Sequence, residues 1–365
     1  MDAIQIAIPL AVGLGVSAVV TPPVARLARA LGFVDQPSER SVAHRPGIPL
    51  LGGVAVAIGF FAALGTGFVL GDLPVLPSHL VGFVTGAGII LAVGILDDRV
   101  GLGAMTKFGG QFLAALIAVG AGYKLGHITE PISGTTFLLP QVMVWVVSVL
   151  WIVGVTNAIN LVDGLDGLAT GVGAIICITL TVILVQAGQI FGAVMGVALL
   201  GGLLGFLPYN FPPARIFLGD TGALFIGYSL SLLALEGYRQ VTVITFVVPL
   251  LALAVPILDT GLSILRRLRT GKPLFTGDRL HIHHRLLDRQ GSPRAAVLQF
   301  YFLTACFSLI AVSFTGLHGY VAGPCLVFVV ILTLRLLHNM GVLSLSASEE
   351  LPSSQSAANA EEEQP

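Results

Sequence analysis

Charge is what this sequence most lacks. Lys and Arg number 18 and Asp and Glu 19 among 365 residues, so 10% of the chain is charged while 55% is hydrophobic, and the mean hydropathy is +0.94. A soluble domain carries roughly 25% charged residues, so a water-soluble fold of this length is excluded and lipid must solvate much of the surface. Cysteine is equally sparse. Cys177, Cys306 and Cys325 all fall in apolar runs and form no CxxC pair, which excludes a disulfide framework and a zinc knuckle. No basic segment precedes the first apolar run, so that run is expected to be a retained helix and not a cleaved leader. The net charge of -1 says little by itself. No nucleic-acid partner is expected, and the placement of the charges is more informative.

A bilayer core about 30 Å thick takes about 20 apolar residues of helix. Eleven runs meet that length: 3–24, 50–70, 79–96, 108–125, 139–157, 169–187, 190–208, 221–236, 241–262, 297–315 and 319–337. The expected fold is therefore an all-α integral membrane protein, with a polytopic catalytic body over 1–340. The Ser-, Ala- and Glu-rich segment 341–365 reads as a disordered cytoplasmic tail. Only Gly188-Gln189 separates the sixth and seventh runs, which predicts a tight hairpin. The 45 glycines suit close helix packing in a membrane. With alternating spans, the loops after runs 1, 3, 5, 7 and 9 share one side with the tail. That side holds 16 of the 18 Lys and Arg residues, and Lys124 and Arg239 lie on the other. The positive-inside rule makes the rich side cytoplasmic and puts the N-terminus outside.

Carboxylates are costly at a membrane and tend to be functional there. Asp97, Asp98, Asp163, Asp166 and Asp220 all fall in short cytoplasmic loops at the ends of runs. Adjacent Asp97 and Asp98 repel, so one holds a proton or both share a cation. Asn157, Asn160 and Asp163 are spaced by three, which puts them on one face of a helical turn. The Asp163-Gly164 and Asp166-Gly167 steps predict a tight turn whose backbone can approach a phosphate or a base. The segment Pro208–Gly222 includes Asn210, Phe217 and Asp220. Asp220 opens the next helix, as its N-cap or as a metal ligand, and Phe217 can pack on a flat base or anchor at the membrane edge. The longest cytoplasmic loop carries Arg279, His281, His283, His284 and Arg285, a set better suited to phosphate than to zinc. His44-Arg45-Pro46-Gly47-Ile48-Pro49-Leu50-Leu51-Gly52-Gly53 fixes the start of the second run by Pro and Gly geometry, a structural reading.

Taken together, these five elements resemble the polyprenyl-phosphate N-acetylhexosamine-1-phosphate transferase family. The matching patterns are LDDxxGL, NAxNLxDGLDGLA, FxGDxG, HxHH and an HxxxxPxxGG lead into the second span. They run from about His44 to Arg285 in the family's order and spacing. The chain departs from the pattern at Leu50, where the family often carries a basic residue, and this argues against a phosphate role for that loop. Ile282 interrupts the histidines, so HIHH resembles the branch that initiates teichoic-acid, O-antigen and related glycans. The muramoyl-pentapeptide branch has three consecutive histidines.

The resemblance implies UDP-N-acetylglucosamine, or another UDP-N-acetylhexosamine, as donor and undecaprenyl phosphate as acceptor, with release of UMP. It implies Mg²⁺, with Mn²⁺ as a substitute, held by Asp220 with Asn160 or Asp163. Asp97 or Asp98 would deprotonate or align the lipid phosphate. Lys107, Arg279, His281, His283, His284 and Arg285 would bind phosphates. Asn210, Asp163 and Phe217, with Asn157 nearby, would contact the nucleotide. A phospho-enzyme route through an Asp, a homodimer and the muramoyl-pentapeptide substrate stay open. The competing class is a transporter, but no matched pair of halves is visible and the carboxylates sit at one face, not at the midplane.

Overall fold

The computed structural model describes residues 3–35, 47–70, 77–129, 136–237, 250–270, 287 and 291–314, with isolated positions between 321 and 335. The chain divides into two compact units, Met1–Ala322 and Gly323–Pro365. The predicted tail, most of the eleventh run and the first part of the ninth lie outside the described residues.

The first unit is a helical bundle built from α1 (Ala3–Ala30), α2 (Gly52–Leu70), α3 (Pro77–Val100), α4 (Ala104–Ala121), α5 (Gln141–Val162), α6 (Leu168–Gln186), α7 (Ile190–Asn210), α8 (Gly219–Gly237), α9 (Ala254–Thr270) and α10 (Pro293–Phe314). Eight of them, α1 to α7 and α10, are long and apolar enough to cross a membrane. The chain is thus a multi-pass membrane protein. One departure from the all-helical expectation lies between α4 and α5. There His127–Thr129 (β1) and Thr136–Leu138 (β2) pair antiparallel, where Ile, Phe and Thr favour extended backbone. The α6–α7 hairpin forms as the sequence predicts, with Gly188 taking the left-handed φ of 69° that the turn requires.

Small residues let the backbones approach. A Cβ at Gly205 would lie 2.3 Å from the Leu14 carbonyl, and one at Gly202 would lie 2.8 Å from the Val56 carbonyl, so α7 seats directly on α1 and α2. Ser17 adds a buried hydrogen bond to the Gly202 carbonyl at 2.8 Å. A cluster of rings joins α2, α3 and α8: the buried Phe60 lies 5.4 Å from Phe83 and 5.5 Å from Phe225. Tilted and edge-to-face ring pairs of this kind add to area burial.

At one end of the bundle, the ends of α3, α5 and α7 meet the starts of α4, α8 and α10. This convergence positions the site. At the other end, the start of α3 meets the end of α8. There His79 Nδ1 and Glu236 Oε1 lie 3.0 Å apart, both buried.

Candidate active site

Local sequence explains how each carboxylate reaches the cavity. Helix α3 continues through the Asp97-Asp98 pair, which the sequence placed in a loop. Gly101, at φ 66°, closes the helix with its N–H on the Asp97 carbonyl at 2.8 Å. Helix α4 likewise begins earlier than expected and carries Lys107 in its first turn. Helix α5 holds Asn157 and Asn160 in its last turns, and Asp163 is its C-cap residue.

The start of α8 is clamped between α2 and α3. A Cβ at Gly53 would lie 2.1 Å from the Gly222 nitrogen, and one at Gly94 would lie 2.4 Å from the Thr221 Cα. Phe217 N–H donates to the Pro49 carbonyl at 2.9 Å. Gly52 and Gly53 donate back to the Phe217 and Leu218 carbonyls at 3.0 and 2.8 Å. The Pro/Gly lead into α2 and the Phe217-Leu218-Gly219-Asp220 segment are therefore one paired structure, which explains why the first is structural. Leu51, between them, holds a left-handed φ of 74°, a conformation costing a non-glycine residue about 1–2 kcal/mol that this pairing sustains.

A cavity of about 820 Å³ opens at this end. Its walls include all five carboxylates, Asp97, Asp98, Asp163, Asp166 and Asp220, together with Leu50, Asn210, Phe217 and the segment Ser292–Arg294. Their roles differ. Lys107 Nζ sits between Asp97 and Asp220, ion-paired with Asp97 Oδ2 and 2.9 Å from Asp220 Oδ2. Asp97 Oδ1 accepts the Leu102 N–H at 2.6 Å. Asn160 donates its side-chain N–H to Asp220 Oδ1. Asp98 has both oxygens on the start of α8. Oδ1 accepts the Asp220 N–H at 2.8 Å, and Oδ2 accepts the Thr221 N–H at 3.1 Å and its hydroxyl at 2.6 Å. Asp166 Oδ2 accepts the Ala214 N–H at 2.9 Å and so ties the Asp-Gly turn to the loop after α7.

Asp163 stands apart. No hydrogen bond to its carboxylate comes from any described residue, and its charged neighbours are Asp220, Asp98 and Asp166. Burial and those three like charges hold its proton affinity well above the usual carboxylate range.

The polar side chains proposed for nucleotide contact are more committed than their spacing suggests. Asn157 exchanges hydrogen bonds with Gln111 of α4 and donates to the Val153 carbonyl at 2.8 Å, and it does not line the cavity. Asn210 lines the cavity, but it accepts the Thr170 hydroxyl at 2.7 Å and donates to the Ile216 carbonyl at 3.1 Å, pinning its own loop. Phe217 is half-buried and lines the cavity. Arg279, His281, His283, His284 and Arg285 lie outside the described residues. Sequence reasoning missed Ser292, Pro293 and Arg294, which it counted only as part of a basic loop.

The donor set suits a hard divalent cation. It is all oxygen, and among the described residues the charged neighbours of Asp163 are carboxylates. Among the described residues no three His, Cys, Asp or Glu side chains converge on one point.

Fold and site together define a polytopic membrane protein with an acidic cavity at one end. The family model of glycosyl transferase family 4 matches residues 80–238. A relative from Bacillus subtilis (strain 168), a probable undecaprenyl-phosphate N-acetylglucosaminyl 1-phosphate transferase, is 41% identical over 85% of this chain and 85% of its own. The decaprenyl-phosphate N-acetylglucosaminephosphotransferase of Mycolicibacterium smegmatis is 36% identical over 84% of this chain and 82% of its own. A phospho-N-acetylmuramoyl-pentapeptide-transferase from Moorella thermoacetica is 34% identical over 83% of this chain and 96% of its own. The chain belongs to glycosyl transferase family 4 and is a membrane-bound transferase.

Proposed function

We propose that the protein transfers N-acetylglucosamine-1-phosphate from UDP-N-acetylglucosamine to undecaprenyl phosphate, giving undecaprenyl-diphospho-N-acetylglucosamine and UMP. The step would initiate a cell-envelope glycan such as teichoic acid or O-antigen. The reading is supported by the names of the relatives at 41% and 36% identity and by the HIHH sequence. Muramoyl-pentapeptide transfer has weaker support, from relatives at 34% identity and below. The charge split supports eleven spans in a bacterial cytoplasmic membrane, with the N-terminus outside and the tail and active site facing the cytoplasm.

The observation that carries the reading is the arrangement of charge. Lys107 is sandwiched between Asp97 and Asp220, while Asp163 faces three carboxylates and no described residue donates to it. Among the described residues such a mouth carries an excess of negative charge, which a cation arriving with the diphosphate would offset. One phosphoanhydride replaces another, so alignment and charge neutralisation dominate over bond energy. The acceptor oxygen attacks the sugar-linked phosphorus, and the bond to the UMP phosphate oxygen breaks. A phosphate monoester has a second pKa of about 6, so the nucleophile needs alignment more than proton removal. Asp97, next to the Lys107 ammonium, takes any residual proton, and Lys107 holds the attacking phosphate in line. Asp98 keeps the start of α8, and with it Asp220, in place. Phe217 packs on the uracil. Asp220, with Asp163 or Asn160, would hold Mg²⁺, for which Mn²⁺ can substitute. The ion, when bound, supplies charge neutralisation on the diphosphate.

The test is UMP release by the purified protein in detergent with both substrates, before and after chelation. UMP and lipid-linked N-acetylglucosamine that vanish with chelator and return with Mg²⁺ are the expected result. Return with zinc alone would move the metal to the histidine cluster, and no UMP under any condition would refute the reaction.

A further inference from the structure

We infer that Arg294 binds the diphosphate of the nucleotide donor at the rim of the cavity. The inference rests on the function proposed above and adds a residue which that reading does not use.

Charge balance is the starting point. Five carboxylates line the cavity, and Arg294 is the one Lys or Arg among its described lining residues. Lys107 is already paired with Asp97 and Asp220. An anionic donor approaching the mouth therefore meets a wall of like charge, and Arg294 is the described counter-charge on its path. Among the described residues, no carboxylate pairs with Arg294. Its side chain is exposed, as a rim group must be to meet a ligand arriving from water.

The residue is also held in place. Arg294 Nε donates to the Pro212 carbonyl at 2.8 Å, which leaves its two terminal NH₂ groups for a ligand. One turn of anchoring on the protein and a planar fork toward a phosphate is the arrangement in which Arg outperforms Lys. The helix that carries it is fixed further along. Tyr301, two turns later, donates to the Gly167 carbonyl at 2.5 Å, in the turn that also holds Asp166. A Cβ at Gly171 would lie 2.0 Å from the Tyr301 Cζ, so the ring fits only because that position is glycine. Helix α10 thus joins both loops that floor the cavity.

The tether to Pro212 ties Arg294 to the loop that carries Phe217, the residue assigned to the base. Pro212 belongs to the loop that begins after Asn210 and ends at Phe217, and both residues line the cavity. A base packed on Phe217 would have its diphosphate within the same cavity, which Arg294 also lines. The lipid phosphate instead belongs on the side of Asp97, where α3 ends and α4 brings Lys107 to that carboxylate.

The experiment compares wild type with Arg294→Gln and Arg294→Lys by UMP release and by direct binding of UDP, which carries the diphosphate without sugar or lipid. For Arg294→Gln, the KM for the nucleotide sugar and the Kd for UDP should both rise about tenfold or more, the worth of one charge-assisted hydrogen bond. The KM for undecaprenyl phosphate, kcat and the melting temperature should stay near wild type. Arg294→Lys, which keeps the charge but cannot make the Nε bond to Pro212, should recover much of the UDP affinity. A rise in the lipid KM would assign Arg294 to the acceptor and overturn the inference. A fall in melting temperature with unchanged UDP affinity would make the residue a mere tether. Wild type that binds UDP no better than Arg294→Gln refutes Arg294 alone. Wild type that binds no UDP at all refutes the nucleotide-donor reading, and this inference with it.

Discussion

Asp98 caps a helix to which it does not belong. From the last turn of α3 its carboxylate receives the N–H of Asp220, the N–H of Thr221 and the Thr221 hydroxyl, at 2.8, 3.1 and 2.6 Å. Helix N-termini leave unsatisfied N–H groups and carry partial positive charge, so an anion there is doubly favoured. Gly219 completes the fit. Its φ of 73° suits glycine, and a Cβ there would lie 2.6 Å from Asp98 Oδ2. The adjacent Asp97 and Asp98 thus have separate tasks, the first facing Lys107 and the second holding Asp220.

That division predicts different phenotypes for the two neighbours. Asp98→Ala strands three donors, each hydrogen bond to a charged group being worth about 1.5–3 kcal/mol. It should lower the melting temperature and turnover together. Asp97→Asn should lower turnover by about 10²-fold or more and shift the melting temperature less, since it removes charge from Lys107 but keeps an acceptor. Equal melting temperatures for Asp98→Ala and wild type would show that the cap is dispensable and return Asp98 to the chemistry.

A second prediction concerns pH and Asp163. Burial and the charges of Asp220, Asp98 and Asp166 raise its proton affinity in the folded state. An unfolded Asp titrates near 3.9. A group with a raised folded value costs nothing below the unfolded pKa. Its penalty grows as pH rises between the two values and is complete above the folded one. In the presence of chelator, Asp163→Asn should therefore melt higher than wild type at pH 8, with the gap closing toward pH 4. Activity should fall in the same variant, and added Mg²⁺ should raise the wild-type melting temperature more than that of the variant. A gap that stays constant across pH would mean that the carboxylate is neutralised by a group outside this cluster.

Much of this was legible because apolar runs report helices directly. The runs at 50–70, 169–187 and 190–208 match α2, α6 and α7 to within two residues. The ends were harder. Asp97 and Asp98 lower local hydropathy without breaking the backbone ladder, so α3 runs a turn further than its apolar stretch. The converging carboxylates were visible as a set, since each closes or opens an apolar run. Their division of labour was not, because it depends on partners far along the chain. Asp98 meets Thr221, Asn157 meets Gln111 one turn deeper than the cavity, and Arg294 meets Pro212. In composition Arg294 looks like any other positive-inside charge, and only the fold separates it.

At the far end of the bundle, the buried His79–Glu236 pair joins α3 to α8, and the Tyr123 ring lies 4.8 Å from the His79 ring. A Cβ at Gly122 would lie 2.3 Å from His79 Nε2, so the imidazole fills a slot made for it. Removing one member of a buried pair leaves the other poorly compensated, typically at about 3–5 kcal/mol. His79→Ala should lower the melting temperature sharply, and His79→Ala with Glu236→Leu should cost less than that single change. The same variants should leave the KM values near wild type at temperatures where they stay folded, because the pair is at the opposite end from the cavity. A double variant less stable than His79→Ala would show that Glu236 has packing or bonds of its own that outweigh the pair.

The last prediction concerns the donor sugar. UDP-N-acetylglucosamine should be preferred over UDP-N-acetylmuramoyl-pentapeptide. The sequence motive is the compact basic loop with HIHH. The structural motive is the cavity, whose described walls are short turns and helix ends with no inserted domain to cradle a peptide. A volume of about 820 Å³ is within the range of small-ligand sites. An epimer such as UDP-N-acetylgalactosamine differs by one hydroxyl, and a site that hydrogen-bonds that hydroxyl can discriminate strongly. The measurement is a competition in detergent, with undecaprenyl phosphate and equal concentrations of the three nucleotide sugars, scored by the mass of the lipid product. N-acetylglucosamine should dominate. A muramoyl-pentapeptide product would overturn the choice of substrate while leaving the charge arrangement around Lys107, and the phosphotransfer it serves, in place.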